Sequence, residues 1–142
     1  MSAKDKYHEH VKEALIKDGW EITDDPYIMK FGEEDEEEKL KVDFGAVKII
    51  AAKKENQKIA VEVKSFLNES VMYDYHSALG QMMNYQIGID ETEKDRLLFL
   101  AMPDEAYRKL KTKFIFRKSV EKNNLKIILF DIDNKSIVEW KK

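Results

Sequence analysis

The stretch Lys58-Ile59-Ala60-Val61-Glu62-Val63-Lys64-Ser65 constrains this chain more than any other. Successive residues of a strand face opposite sides, so Ile59, Val61 and Val63 make an apolar face while Glu62 and Lys64 share the other. A carboxylate and an ammonium then stand side by side on a rigid element. Nineteen residues before Glu62, Val42-Asp43-Phe44 sets a second carboxylate in a strand-like run from Leu40 to Phe44. Gly45-Ala46 separates it from a further run, Val47 to Ala52, and Asn56-Gln57 reads as the turn into the central strand. Paired carboxylates suit a hard divalent cation that keeps several of its waters. An adjacent lysine orients or activates one of those waters against a phosphodiester. The pattern points to metal-dependent nuclease chemistry, although Glu-x-Lys on a strand is also an ordinary solvated charge pair.

After Phe66-Leu67-Asn68-Glu69-Ser70 the periodicity predicts a helix from about Val71 to Ile89. Tyr75, Ala78, Leu79, Met82, Gln86 and Ile89 trace its stripe, apolar except for Gln86, with Ser77, Gln81, Asn84, Tyr85 and Gly88 on other faces. A mid-helix glycine costs about 1 kcal/mol relative to alanine, so Gly80 suggests close approach of a strand or ligand. His76 is placed to face a cleft or to make a structural hydrogen bond. Gln81 and Tyr85 stand one turn apart. Glu-x-Lys followed by Gln-x-x-x-Tyr resembles the PD-(D/E)xK nuclease superfamily, in the branch where the helix after the catalytic strand supports the metal site.

A longer ordered series is similar to the XisH family, known in cyanobacteria as controlling factors for excision of a DNA element (the fdxN element) from a nitrogen-fixation operon. It runs through Lys4-Asp5, His8, Val11-Lys12, Ala14 to Trp20, Asp25-Pro26, Asp43, Gly45-Ala46 and Ile50-Ala51-Ala52. It continues through Ile59 to Phe66, His76, Ala78 to Gln81 and Asn84-Tyr85, and more loosely through Ile127 to Asp131 and Val138-Glu139-Trp140. The resemblance implies a restriction-endonuclease-like α/β core, with a central mixed sheet flanked by helices and an added C-terminal hairpin. It also implies Asp43, Glu62 and Lys64 as catalytic residues, with Mg²⁺, or Mn²⁺, held by Asp43, Glu62 and the Val63 carbonyl. Gln81, Tyr85 and His8 would be supporting or substrate-facing groups. DNA and a companion protein of the XisI type are the implied partners, with a homodimer as a further expectation. Two positions depart from the family pattern: Lys53 and Val47 stand where acids are expected, so the margin of the site is less negative than in relatives. The rival expectation is a catalytically silent nuclease-fold module that binds the companion.

Composition narrows the context. The chain has 142 residues, 43% of them hydrophobic, enough for one domain with one core. It contains no cysteine, which excludes disulfides and thiolate zinc sites and fits a cytoplasmic location. No apolar run approaches a membrane span and the polar N-terminus lacks a signal-peptide pattern. A net charge of −3 argues against tight DNA binding by an isolated monomer. Guanine reading would rest on Arg96, Arg108 and Arg117 alone.

The remaining elements follow from local signals. Tyr7, Val11, Ala14 and Leu15 form the stripe of a helix from about Ala3 to Asp18, stopped at Gly19. Its Glu9 and Glu13, nearer the solvent side, are weaker candidates for the metal than the core pair. Trp20 to Thr23 reads as a strand, Asp24-Asp25-Pro26 as a turn, and Tyr27 to Phe31 as extended chain. Six consecutive acids, Glu33 to Glu38, repel one another and stay solvated, which predicts a mobile hairpin loop. Beyond the second helix the pattern predicts a buried strand from Arg96 to Ala101, a helix opened by Pro103 and another from Phe114 to Lys122. A hairpin of Lys126 to Phe130 and Ser136 to Trp140 turns at Asp133-Asn134.

Overall fold

The computed structural model describes residues 3–31, 38–40 and 49–142. Helix α1 (Ala3–Lys17) buries Val11, Ala14 and Leu15, the positions its sequence spacing puts on one stripe. It ends in a Schellman motif: Trp20 N–H bonds Leu15 O and Gly19 N–H bonds Ile16 O, with Gly19 at φ +94°. Glycine takes that left-handed conformation without the Cβ penalty of other residues. The motif delivers Trp20, itself buried, onto the same apolar cluster as Leu15.

The chain continues through β1 (Glu21–Asp24), β2 (Met29–Phe31), β3 (Glu38–Leu40), β4 (Ile49–Lys54) and β5 (Gln57–Val63). Then come α2 (Val71–Thr92), β6 (Arg96–Pro103), α3 (Asp104–Leu110), α4 (Phe114–Lys122), β7 (Lys126–Asp131) and β8 (Ser136–Lys141). One sheet has the order β1-β4-β5-β6-β7-β8, with β5, β6 and β7 parallel and the flanking pairs antiparallel. β2 and β3 form a separate antiparallel ribbon. This is the mixed α/β architecture with a terminal strand pair that the sequence implies. Among the described residues no helix is long and apolar enough to cross a membrane.

Parallel strands are covered on both faces, and the core accordingly has two layers. On one side Ala60, Leu98, Leu100, Ile127 and Leu129 meet α2 and α3 through Tyr75, Ala78, Met82, Tyr85 and Leu110. On the other, Ile59, Val61, Phe99, Ala101 and Ile128 meet α1 and Trp20. Aromatic contacts close this second layer: Trp140 lies 5.7 Å from Trp20 and 5.1 Å from Phe99, and Tyr7 packs edge-on to Phe130 at 6.1 Å.

Several local expectations are corrected. The turn into β5 is Glu55-Asn56, with Glu55 at φ +55°, and Gln57 already pairs with Lys54. The stripe of α2 is Tyr75, Ala78, Met82, Tyr85 and Ile89, with Gly88 buried beside it; Gln86 is exposed. Gly80 is exposed, and nothing lies within 4 Å of where its Cβ would be. It points away from the core, and no strand among the described residues approaches it. His76 is likewise exposed, beside the Tyr75 ring. Strand β6 runs two residues past Ala101, and its Leu97 is 41% exposed. Of the six acids, Glu38 opens β3 opposite Phe31; the loop expected over the others lies outside the described residues.

Candidate active site

Strand β5 positions the central pair. It is flanked by β4 and β6, so that Glu62 sits opposite Ile49 on one side and Leu100 on the other. Ala60 faces the α2 layer, and strand alternation puts Glu62 and Lys64 on that same face. Lys64 N–H bonds Ala101 O at 2.9 Å, which carries the parallel ladder past the end of β5. The pair thus lies at the C-terminal end of the parallel strands, where open α/β sheets receive ligands.

Glu62 is 0% exposed, and neither carboxylate oxygen has a hydrogen-bond partner among the described residues. Lys64 Nζ stands 3.7 Å from Oε2, beyond hydrogen-bond reach, on a side chain that is 17% exposed. Burial pushes the Glu62 carboxyl up from 4.5 to about 8, against the pull of the Lys64 ammonium. A buried acid is ordinarily hydrogen-bonded or paired. Here its oxygens are withdrawn from water, with Lys64 at 3.7 Å the nearest cation among the described residues. This is not the solvated surface pair that Glu-x-Lys most often makes.

Helix α2 supplies the wall over this face. Its Leu79, Met83 and Gln86 line a groove with Leu98, Leu125 and Lys126, on the β6–β7 side. The flank that carries Ser77 and Gln81 is therefore turned toward β5. Ser77 lines a small cavity together with Lys64, and Gln81 follows one turn later, its Oε1 buried without a hydrogen-bond partner. Tyr85 is 3% exposed within the core.

His8 is committed elsewhere. Its Nε2 lies 2.9 Å from Asp25 Oδ1, and Lys12 Nζ lies 2.9 Å from Oδ2 of the same carboxylate. Burial pushes the Asp25 carboxyl up, but the hydrogen bond from Lys12 and the nearby His8 outweigh it and hold the carboxyl below its ordinary value. The hydrogen bond to Asp25 in turn raises Lys12. This triad ties α1 to the turn after β1. Glu13 is exposed and Glu9 half-buried. Asp43 lies outside the described residues, and among the described residues no three His, Cys, Asp or Glu side chains form a metal-binding group.

Sequence reasoning missed two features. Tyr73 lines the Lys64 cavity while 67% exposed, at a position that periodicity reads only as helix surface. Near the start of β6, buried Arg96 donates from Nε to Glu93 Oε2 at 2.8 Å and from Nη1 to Ile59 O at 2.9 Å. The Tyr27 hydroxyl also donates to Glu93 Oε2, and burial together with that acid pushes the phenol up to about 12. An arginine opening an otherwise apolar strand was the available signal. The cluster secures the far end of β5 and leaves its Glu62 end for chemistry.

Comparison with known proteins agrees with the resemblance. The model of the XisH family, described as XisH protein, matches residues 1–138. A crystal structure of an fdxN element excision controlling factor protein from Anabaena variabilis is 39% identical, with a TM-score of 0.85, over 97% of this chain and 99% of that one. An XisH family protein from Nostoc punctiforme is 36% identical, with a TM-score of 0.86, over 97% of this chain and 100% of that one. No curated protein matches the chain.

Proposed function

The chain belongs to the XisH family, and from that premise we propose that it is a cytoplasmic controlling factor for excision of a DNA element. In this reading it acts as a Mg²⁺-dependent endonuclease, or as the nuclease subunit of an assembly with a XisI-type companion. The observation that carries the reading is Glu62: a fully buried carboxylate whose oxygens have no hydrogen bond among the described residues, with Lys64 at 3.7 Å. Such an acid suits a hard cation, which satisfies oxygens that burial has removed from water. Glu62 and Asp43 would hold the metal, with the Val63 carbonyl as a further ligand. When bound, the metal supplies Lewis-acid charge and a more acidic water.

The rest of the work falls to side chains. Lys64 projects from the same strand face and offsets charge at a phosphate's non-bridging oxygens while orienting the attacking water. Gln81 Oε1, unpartnered and buried, is an acceptor for a site water. Glu62 must lose its proton to bind a cation, so its raised pKa makes metal affinity fall as pH drops below about 8. The second reading, a silent nuclease-fold module, draws on the net charge of −3. In that case Lys64 serves only to offset Glu62.

A nicking assay separates the two. Wild type with its companion and Mn²⁺ is expected to cut supercoiled, branched or single-stranded DNA, and Glu62→Gln to cut none. If wild type cuts none of these substrates, or if the Gln variant cuts equally well, the enzyme reading fails and the binding-module reading replaces it.

A further inference from the structure

Just past β5 the chain does something costly. Phe66 adopts φ +54°, a conformation that bulky residues rarely take. The bend buries the Phe66 ring in the α2 layer and turns Leu67 outward, 53% exposed. Between this bend and the first turns of α2 lies a cavity of about 150 Å³, lined among others by Lys64, Phe66, Leu67, Tyr73, Asp74 and Ser77. Tyr73 stands at its edge with 67% of its surface exposed.

We propose that this cavity seats the base of one unpaired nucleotide beside the scissile phosphate, with the Tyr73 ring as its stacking platform. The substrate class is then DNA with single-stranded or branched character. The inference rests on the nuclease reading, because Lys64 is what joins the cavity to the reacting phosphate. Size favours one ring: a cavity of about 150 Å³ is what a benzene molecule occupies in a protein interior, whereas a base pair does not fit. Charge points the same way. Asp74 accepts from Asn68 N–H at 3.2 Å and from Asn68 Nδ2 at 2.6 Å, so its carboxylate is fixed in the lining. That negative group repels a phosphate and accepts from a base amine, while Lys64 takes the phosphate. Stacking of bases on exposed aromatic rings beside cations that hold the backbone is how proteins grip single strands.

The test measures binding separately from cutting. A short labelled single strand and its duplex are titrated by fluorescence anisotropy at low salt, without divalent cation, against wild type, Tyr73→Ala and Tyr73→Phe. Melting curves confirm that the exposed substitutions leave the fold intact. Wild type is expected to prefer the single strand, Tyr73→Ala to lose roughly tenfold or more in affinity for it, and Tyr73→Phe to keep most of it. Equal binding by Tyr73→Ala and wild type, or no single-strand preference in wild type, overturns the proposal. So does a Tyr73→Ala variant that loses only its companion protein, which would assign the surface to a protein contact. Nicking of duplex by a Tyr73→Ala variant that binds single strands normally would remove the subsite and leave the nuclease reading standing. Tyr73-dependent single-strand binding without any cutting would do the reverse.

Discussion

Replacing Glu62 by Gln should change how the protein's stability responds to pH. The carboxyl is fully buried, has no hydrogen-bond partner among the described residues and is pushed by that burial up to about 8, from the 4.5 of an ordinary carboxyl in the unfolded chain. Between those values the folded protein binds a proton that the unfolded chain has released. Stability therefore falls as pH rises across the window, with the penalty absent below about 4.5 and complete above about 8. At 1.36 kcal/mol for each tenfold change in proton affinity, the rise from 4.5 to about 8 is on the order of 5 kcal/mol. The Gln amide cannot ionise, and its own burial cost is the same at every pH. At about 3 °C per kcal/mol for a chain of this size, the melting temperature of Glu62→Gln relative to wild type should climb by roughly 10–15 °C between pH 5 and pH 9. Calorimetric scans in chelator, free of divalent cations, measure it. Two curves that stay parallel across this range would refute the reasoning, because they would mean that Glu62 ionises without penalty in the folded state.

The same geometry sets three further outcomes. Lys64→Met, which keeps the aliphatic stem, should reduce metal-dependent nicking by about a hundredfold or more; its melting temperature should fall further at pH 9 than at pH 6, since only ionised Glu62 uses the ammonium. In titration calorimetry wild type should bind Mg²⁺ or Mn²⁺ weakly and hold no zinc tightly, and the double change Asp43→Asn with Glu62→Gln should abolish the signal; an unchanged titration would move the metal elsewhere. Arg96→Ala should cost about 1–3 kcal/mol, chiefly by leaving the buried Ile59 carbonyl without its donor while Glu93 keeps Tyr27 and Lys58, and urea melts should show that Arg96→Lys restores only part of it.

What the sequence made legible was periodicity. The stripe of α1, its glycine stop and the apolar runs of β5 and β6 all follow from spacing and turn chemistry. The same reasoning slipped on α2 for a geometrical reason. Tyr75, Ala78, Met82, Tyr85 and Ile89 advance by alternating steps of three and four and stay on one line, whereas Ala78, Met82 and Gln86 take two steps of four and drift off it. Gln86 is therefore exposed and Tyr85 buried. At the site, alternation gave the face that Glu62 and Lys64 share, but whether that face meets water or a helix is decided by distant residues. Full burial of Glu62, the most telling fact about it, was for that reason unreadable. His8 illustrates the converse: its position resembles the family's, yet its partner Asp25 is set by where the turn after β1 falls.

The stacking of Trp20 and Tyr7 against Trp140 and Phe130 bears on how the polypeptide is made. Helix α1 is made well before residues 126–141, which complete the aromatic seat it rests on. At typical translation speeds the helix waits on the order of ten seconds for that seat, with only the β4 and β5 side of its cluster made before it. An amphipathic segment held open for that long is a natural client for a nascent-chain chaperone, and stalling synthesis before residue 126 would leave it stranded in that condition.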